Sequence, residues 1–136
     1  MIQAMQTALA GMHAAQDQLN VAAENIANMN STGGDSGTAY HAKRAEQYTD
    51  AFGAPVVVVQ EKQPPTLKLY APDLSAANQD GIVEVPNVNL AEEIVNIKQA
   101  EISYRASIAV MKTAAEMQDV LINELGNTHH HHHYYA

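Results

Sequence analysis

MIQAMQTALAGMHAAQDQLNVAAENIANMN, residues 1–30, places Ile2, Met5, Leu9, Met12, Leu19 and Ile26 on alternating steps of three, four and seven. With Gln16 and Ala23 in the vacant slots, this is a heptad stripe over nearly four repeats. The spacing predicts a helix over residues 1–29, about 43 Å long at ~1.5 Å per residue. Asn28-Met29-Asn30-Ser31-Thr32-Gly33-Gly34 follows, a cluster of helix-stopping residues. The same period returns over residues 87–127, where Ile94, Ile97, Tyr104, Ile108, Met111, Ile122 and Leu125 keep the heptad steps. Glu101, Ala115 and Gln118 occupy the remaining slots. Asn87 or Asn89 is the expected cap, Glu92 and Glu93 suit the positive end of the helix dipole, and Gly126 is the expected stop. A second apolar set, Val95, Ile102, Val110, Met117 and Leu121, flanks the first. One partner helix buries one stripe, so two stripes imply at least two neighbours.

Between the helices, residues 31–86 read as a small β-rich insert. Gly33-Gly34-Asp35-Ser36-Gly37 is a turn and Tyr40–Tyr48 a candidate strand. Val56-Val57-Val58-Val59 is β-branched, Thr66–Tyr70 alternates, and Ile82-Val83-Glu84-Val85 follows Asp80-Gly81 and stops at Pro86. The expected fold is α+β: long N- and C-terminal helices forming a coiled-coil-like pair or bundle around that insert. The seams carry polar interruptions and isolated helices are marginal in water. The terminal helices are therefore expected to become fully ordered only on assembly. Residues 128–136 are a His-rich tail, either an expression tag or natural, and contribute nothing to the functional reading.

Composition narrows the partner classes. One Phe, no Trp and an Ala-rich apolar fraction suit helices in close contact better than a deep aromatic core. Seven Lys plus Arg face fifteen Asp plus Glu, a formal charge of −8. Nucleic acid needs a basic stripe, and a membrane-surface helix needs bases that residues 1–42 lack. No apolar run reaches a membrane span, so no direct membrane insertion is expected. The start has no basic region ahead of a continuous apolar stretch, so no cleaved signal peptide is expected. Without Cys there is no thiolate site or disulfide.

The stretch Asn25-Ile26-Ala27-Asn28-Met29-Asn30 resembles the Asn-rich motif of the flagellar axial proteins of rod, hook and hook-associated type. Tyr70-Ala71-Pro72, Asp80–Asn89, Glu92–Asn96 and Ser103-Tyr104-Arg105-Ala106 are similar to the proximal-rod branch, as is Tyr40-His41-Ala42-Lys43 after the first loop. The resemblance covers essentially all of residues 1–127. Ile82 stands where an aromatic is the family expectation, and Glu101-Ile102 where a basic or small pair is. The resemblance implies a bacterial flagellar basal-body subunit exported by the flagellar type III apparatus. Such a subunit assembles in the periplasm above the inner-membrane ring, with copies of itself and other rod proteins as partners. It also implies terminal helices in the inner tube of a torque-transmitting shaft.

On this reading the assembly interface is Ile2, Met5, Leu9, Met12, Leu19, Asn25, Ile26, Asn28, Ile94, Ile97, Tyr104, Ile108, Met111, Ile122 and Leu125. Asn25 and Asn28 share a helical face: they either fray and cap the helix end or hydrogen-bond a neighbouring subunit and fix its register. The six methionines fit adaptable packing better than a soft-metal site, and His13 and His41 have no ligand-spaced companions. Asp73 with Asp80, or Glu92 with Glu93, lacks the facing geometry of a glycosidase pair. No catalytic, cofactor or metal site is expected. The alternatives are another rod component and a cytoplasmic secretion chaperone or binding module.

Overall fold

The computed structural model describes residues 1–34 and 38–131, with side chains to residue 127. Its elements run α1 (Ile2–Asn28), β1 (Lys43–Thr49), β2 (Pro55–Glu61), β3 (Thr66–Tyr70), β4 (Ile82–Pro86) and α2 (Leu90–His131). The α+β arrangement is as expected: two helices pack on each other with β structure inserted between them. Asp35–Gly37 of the expected turn and the tail from residue 132 lie outside the described residues. Two boundaries differ. The first strand begins at Lys43 rather than Tyr40, because the Tyr40 N–H is drawn off to Ser31 Oγ and the Ala42 N–H to the Pro65 carbonyl. Gly126 does not end α2, which continues to His131. A helical glycine costs only about 1 kcal/mol, a weak stop, and a Cβ at Gly126 would meet nothing.

Asn89 is the cap of α2: its Oδ1 accepts from the Ala91 and Glu92 N–H groups at 3.0 and 3.3 Å. Asn87 instead donates from Nδ2 to the Pro64 carbonyl at 2.8 Å, tying the helix start to the insert. The helices are antiparallel, since Asn25 near the end of α1 bonds Glu93 near the start of α2. Twenty-seven residues against forty-two make α1 about 40 Å and α2 about 63 Å long. Met1 shares a recess with Met117, so the last turns of α2 run past the first turn of α1.

The insert is two antiparallel hairpins. In the first, β1 pairs with β2 from Lys43 opposite Glu61 to Thr49 opposite Pro55. In the second, β3 pairs with β4 from Thr66 opposite Pro86 to Tyr70 opposite Ile82. Both tips use the same device, an Asx side chain folding back on following N–H groups. Asp50 Oδ1 accepts from Phe52 and Ala54, and Asn78 Oδ1 from Asp80 and Ile82. The hairpins are joined through Ala42, whose N–H donates to the Pro65 carbonyl and whose own carbonyl accepts from Lys62. Val83, Ala39 and Ala42 form the small insert core.

Gly53 and Gly81 sit at the tips with φ of 81° and 74°. Their surroundings differ: a Cβ at Gly53 meets nothing, whereas one at Gly81 lies 2.8 Å from Tyr70 Cε2 and 3.0 Å from Pro72 Cβ. Gly53→Ala is expected to cost only the left-handed backbone strain, about 1–2 kcal/mol. Gly81→Ala is expected to cost that plus the clash, and thermal unfolding of the two variants should rank them so.

Candidate assembly interface

The fully buried part of the α1–α2 contact leaves out the stripe of large side chains. The contact is built mainly from Ala8, Gly11, Ala15, Ala22 and Asn25 on one side and Glu93, Ala100, Ser107 and Ala114 on the other. At Gly11 the helices come so close that an added Cβ would lie 2.5 Å from Ser107 Oγ. Small side chains let backbones approach but remove little apolar area from water.

The expected interface residues therefore divide. On α1, Ile2, Leu9 and Leu19 remain 70, 46 and 40% exposed, and Met5, Met12 and Ile26 are half-exposed. On α2, Ile94, Tyr104, Ile108, Ile122 and Leu125 are exposed, while Ile97 and Met111 are half-buried. Val95, Ile102, Val110, Met117 and Leu121 are open as well. Ile2, Leu9, Leu19, Ile94, Ile108 and Ile122 thus stay largely open in the free chain.

Asn25 stands apart from this set. It is fully buried, and its amide bonds its own chain rather than a neighbour. Nδ2 donates to the Lys43 carbonyl at 2.7 Å and to Glu93 Oε1 at 3.0 Å. Oδ1 accepts from the Lys43 N–H and the Tyr40 O–H, each at 3.0 Å. An amide offers two donors and two lone pairs, so the group is saturated. Glu93, 3% exposed, takes a further bond from Asn96 Nδ2 at 3.3 Å. Asn28 donates to the Glu24 carbonyl one turn back, the helix-end reading. The Asn25 to Glu93 bond spans 68 residues, and no periodicity carries that signal. Only an Asn among small residues facing a first-turn Glu hinted at it.

Burial raises the Tyr40 phenol above its ordinary range; the Glu24 carboxylate adds to this, the Lys43 ammonium opposes it, and Glu93 adds again. A raised folded value favours the neutral phenol. That stability is present below the unfolded pKa and is lost as pH rises through the folded one. Tyr40→Phe should flatten the alkaline limb of the stability curve, read by chemical denaturation at rising pH.

A polar recess of about 350 Å³ lies where α1, α2 and the insert meet. Glu92 and Glu93 both line it, each already engaged. Glu92 is paired with Lys62 at 3.0 Å and Glu93 is held by two amides. Among the described residues no cluster of potential metal ligands occurs, and no helix is long and apolar enough to cross a membrane.

Comparison with known proteins follows the same lines. The family described as flagella basal body rod protein matches residues 5–34. The flagellar basal body rod FlgEFG protein C-terminal family matches residues 79–124. The flagellar basal-body rod protein FlgC of Salmonella typhimurium is 39% identical over 106 residues, covering 74% of this chain and 79% of the relative. That of Escherichia coli O157:H7 is 36% identical over 110 residues, covering 76% and 82%. That of Agrobacterium fabrum is 27% identical over 118 residues, covering 79% and 82%.

Proposed function

Since the chain belongs to the FlgC family of flagellar basal-body rod proteins, we propose that it builds the rod by burying its open apolar stripes against neighbouring subunits. The protein is a structural subunit of the flagellar basal body and assembles with other rod proteins. The observation that carries the mechanism is the division of labour on each helix. Ala, Gly and Ser face the partner helix within the chain, while Ile2, Leu9, Leu19, Ile94, Ile108 and Ile122 face outward. Three such side chains per helix, at about 1.5–3 kcal/mol each for full burial and already half covered, contribute about 5–9 kcal/mol over the two helices before ordering entropy is subtracted.

In this mechanism the subunit passes through the flagellar type III apparatus and docks in the periplasm above the inner-membrane ring. Its copies and neighbouring rod proteins then form the shaft that transmits torque. Met5, Met12, Ile26, Ile97, Tyr104, Met111 and Leu125 complete the interface, and Asn28 holds the helix end beside it. The helix pair, stitched mainly by alanines, completes its ordering on assembly. Circular dichroism of dilute free protein should show weakly cooperative helix melting, and a sharp two-state transition with full helix content would contradict that part.

The test of the function itself is destination. Purified basal bodies should contain the protein after detergent and alkali extraction. Confinement to the cytosolic fraction, as for a secretion chaperone, would overturn the assignment.

A further inference from the structure

We infer that Asn25 and Glu93 are positioning residues that select the register between α1 and α2 which the repeating alanine layers leave open. Fourteen residues separate Gly11 from Asn25, and fourteen separate Glu93 from Ser107. The Gly11–Ser107 approach and the Asn25–Glu93 bond are therefore two readings of a single antiparallel register, two heptads apart. Between them the seam repeats itself. Ala8, Ala15 and Ala22 recur every seven residues on α1, as do Ala100, Ser107 and Ala114 on α2.

Sliding one helix by seven residues, about 10 Å, sets Gly11 against Ala100 or Ala114. One slide brings Ala4 and the other Gln18 to Ser107, where Gly11 has no Cβ to clash, but the remaining alanine layers do not discriminate. The polar pair does: such a slide leaves the Asn25 amide and the Glu93 carboxylate apart and buried, a large penalty for a charged hydrogen-bonded group. Because Asn25 also grips both backbone groups of Lys43 and the Tyr40 hydroxyl, the selected register carries the insert with it. A polar residue in an otherwise apolar seam sets register in coiled coils in the same way.

The chain has no cysteine, so introduced pairs report register cleanly. A Cβ at Gly11 lies 3.5 Å from Ser107 Cβ, within the range of a disulfide. In dilute protein under mild oxidant, G11C/S107C reports the native register, and G11C/A100C and G11C/A114C report the two shifted ones. In the parent background the native pair should close fastest. Asn25→Leu and Glu93→Leu, which keep bulk and remove the bond, should raise the shifted-to-native ratio about tenfold or more.

Glu93→Gln, which keeps an acceptor for Asn25, should retain the parent ratio. So should Val83→Ala, which weakens the insert core without touching the pair. If Asn25→Leu loses its helix content, Glu93→Leu decides, since Asn25 there keeps its bonds to Lys43 and Tyr40. An unchanged ratio in the leucine variants, or an equal shift in Val83→Ala, overturns the inference.

Discussion

Cells carrying only Leu19→Asp or Ile108→Asp protein are expected not to swim, and their basal bodies to lack the subunit, although the free protein stays as stable as the parent. Both side chains are open in the isolated chain, 40 and 44% exposed. A surface substitution away from special features shifts stability by about 0.5 kcal/mol or less. On the proposed assembly the same positions become covered, and an unpartnered carboxylate in an apolar contact costs several kcal/mol. The discriminating pair of measurements is thermal unfolding of the free variant beside its recovery in purified basal bodies. An assembled, motile rod from either variant would contradict the proposed use of these stripes.

Gly34→Ala is expected to be the most damaging conservative change in the insert. A Cβ there would sit 1.7 Å from the Ala76 carbonyl oxygen, and backbone, unlike a long side chain, has no rotamer in which to retreat. Gly33 is anchored next door by reciprocal bonds with Glu84, each 2.9 Å, so displacing Gly34 strains the link between the first loop and β4. Overpacking of this kind costs about 1–3 kcal/mol or more. Amide exchange at Glu84 should accelerate in the variant. Protection equal to the parent's would show that the loop at Ala76 yields freely.

The parts of this molecule that repeat were readable from the sequence, and the parts that join distant segments were not. The helical period at Ile2, Met5 and Leu9, the alternation at Thr66–Tyr70 and the Asn89 cap are local properties, and each occurs where local chemistry puts it. The contact between the helices escaped because its residues are small. Ala8, Ala15, Ala22 and Ala100 carry little hydrophobic weight, so the stripe that stands out in the sequence is the one left open. For Asn25 the sequence offers a helix-end cap or a bond to a neighbouring subunit; its four hydrogen bonds go to three residues of its own chain, 15 to 68 positions away, which no local pattern encodes. The end of α2 was misplaced at Gly126 because one glycine is a weak stop when nothing packs against the turn beyond it.

The alanine seam also has a calorimetric consequence. Heat capacity and denaturant slope both scale with the apolar surface that a transition exposes. A subunit whose two longest elements meet through Ala, Gly and Ser exposes little on unfolding, so its denaturant slope should be shallow for a chain of 136 residues. The missing heat-capacity change should reappear with opposite sign when subunits join, making incorporation into the shaft the step at which water leaves the large side chains.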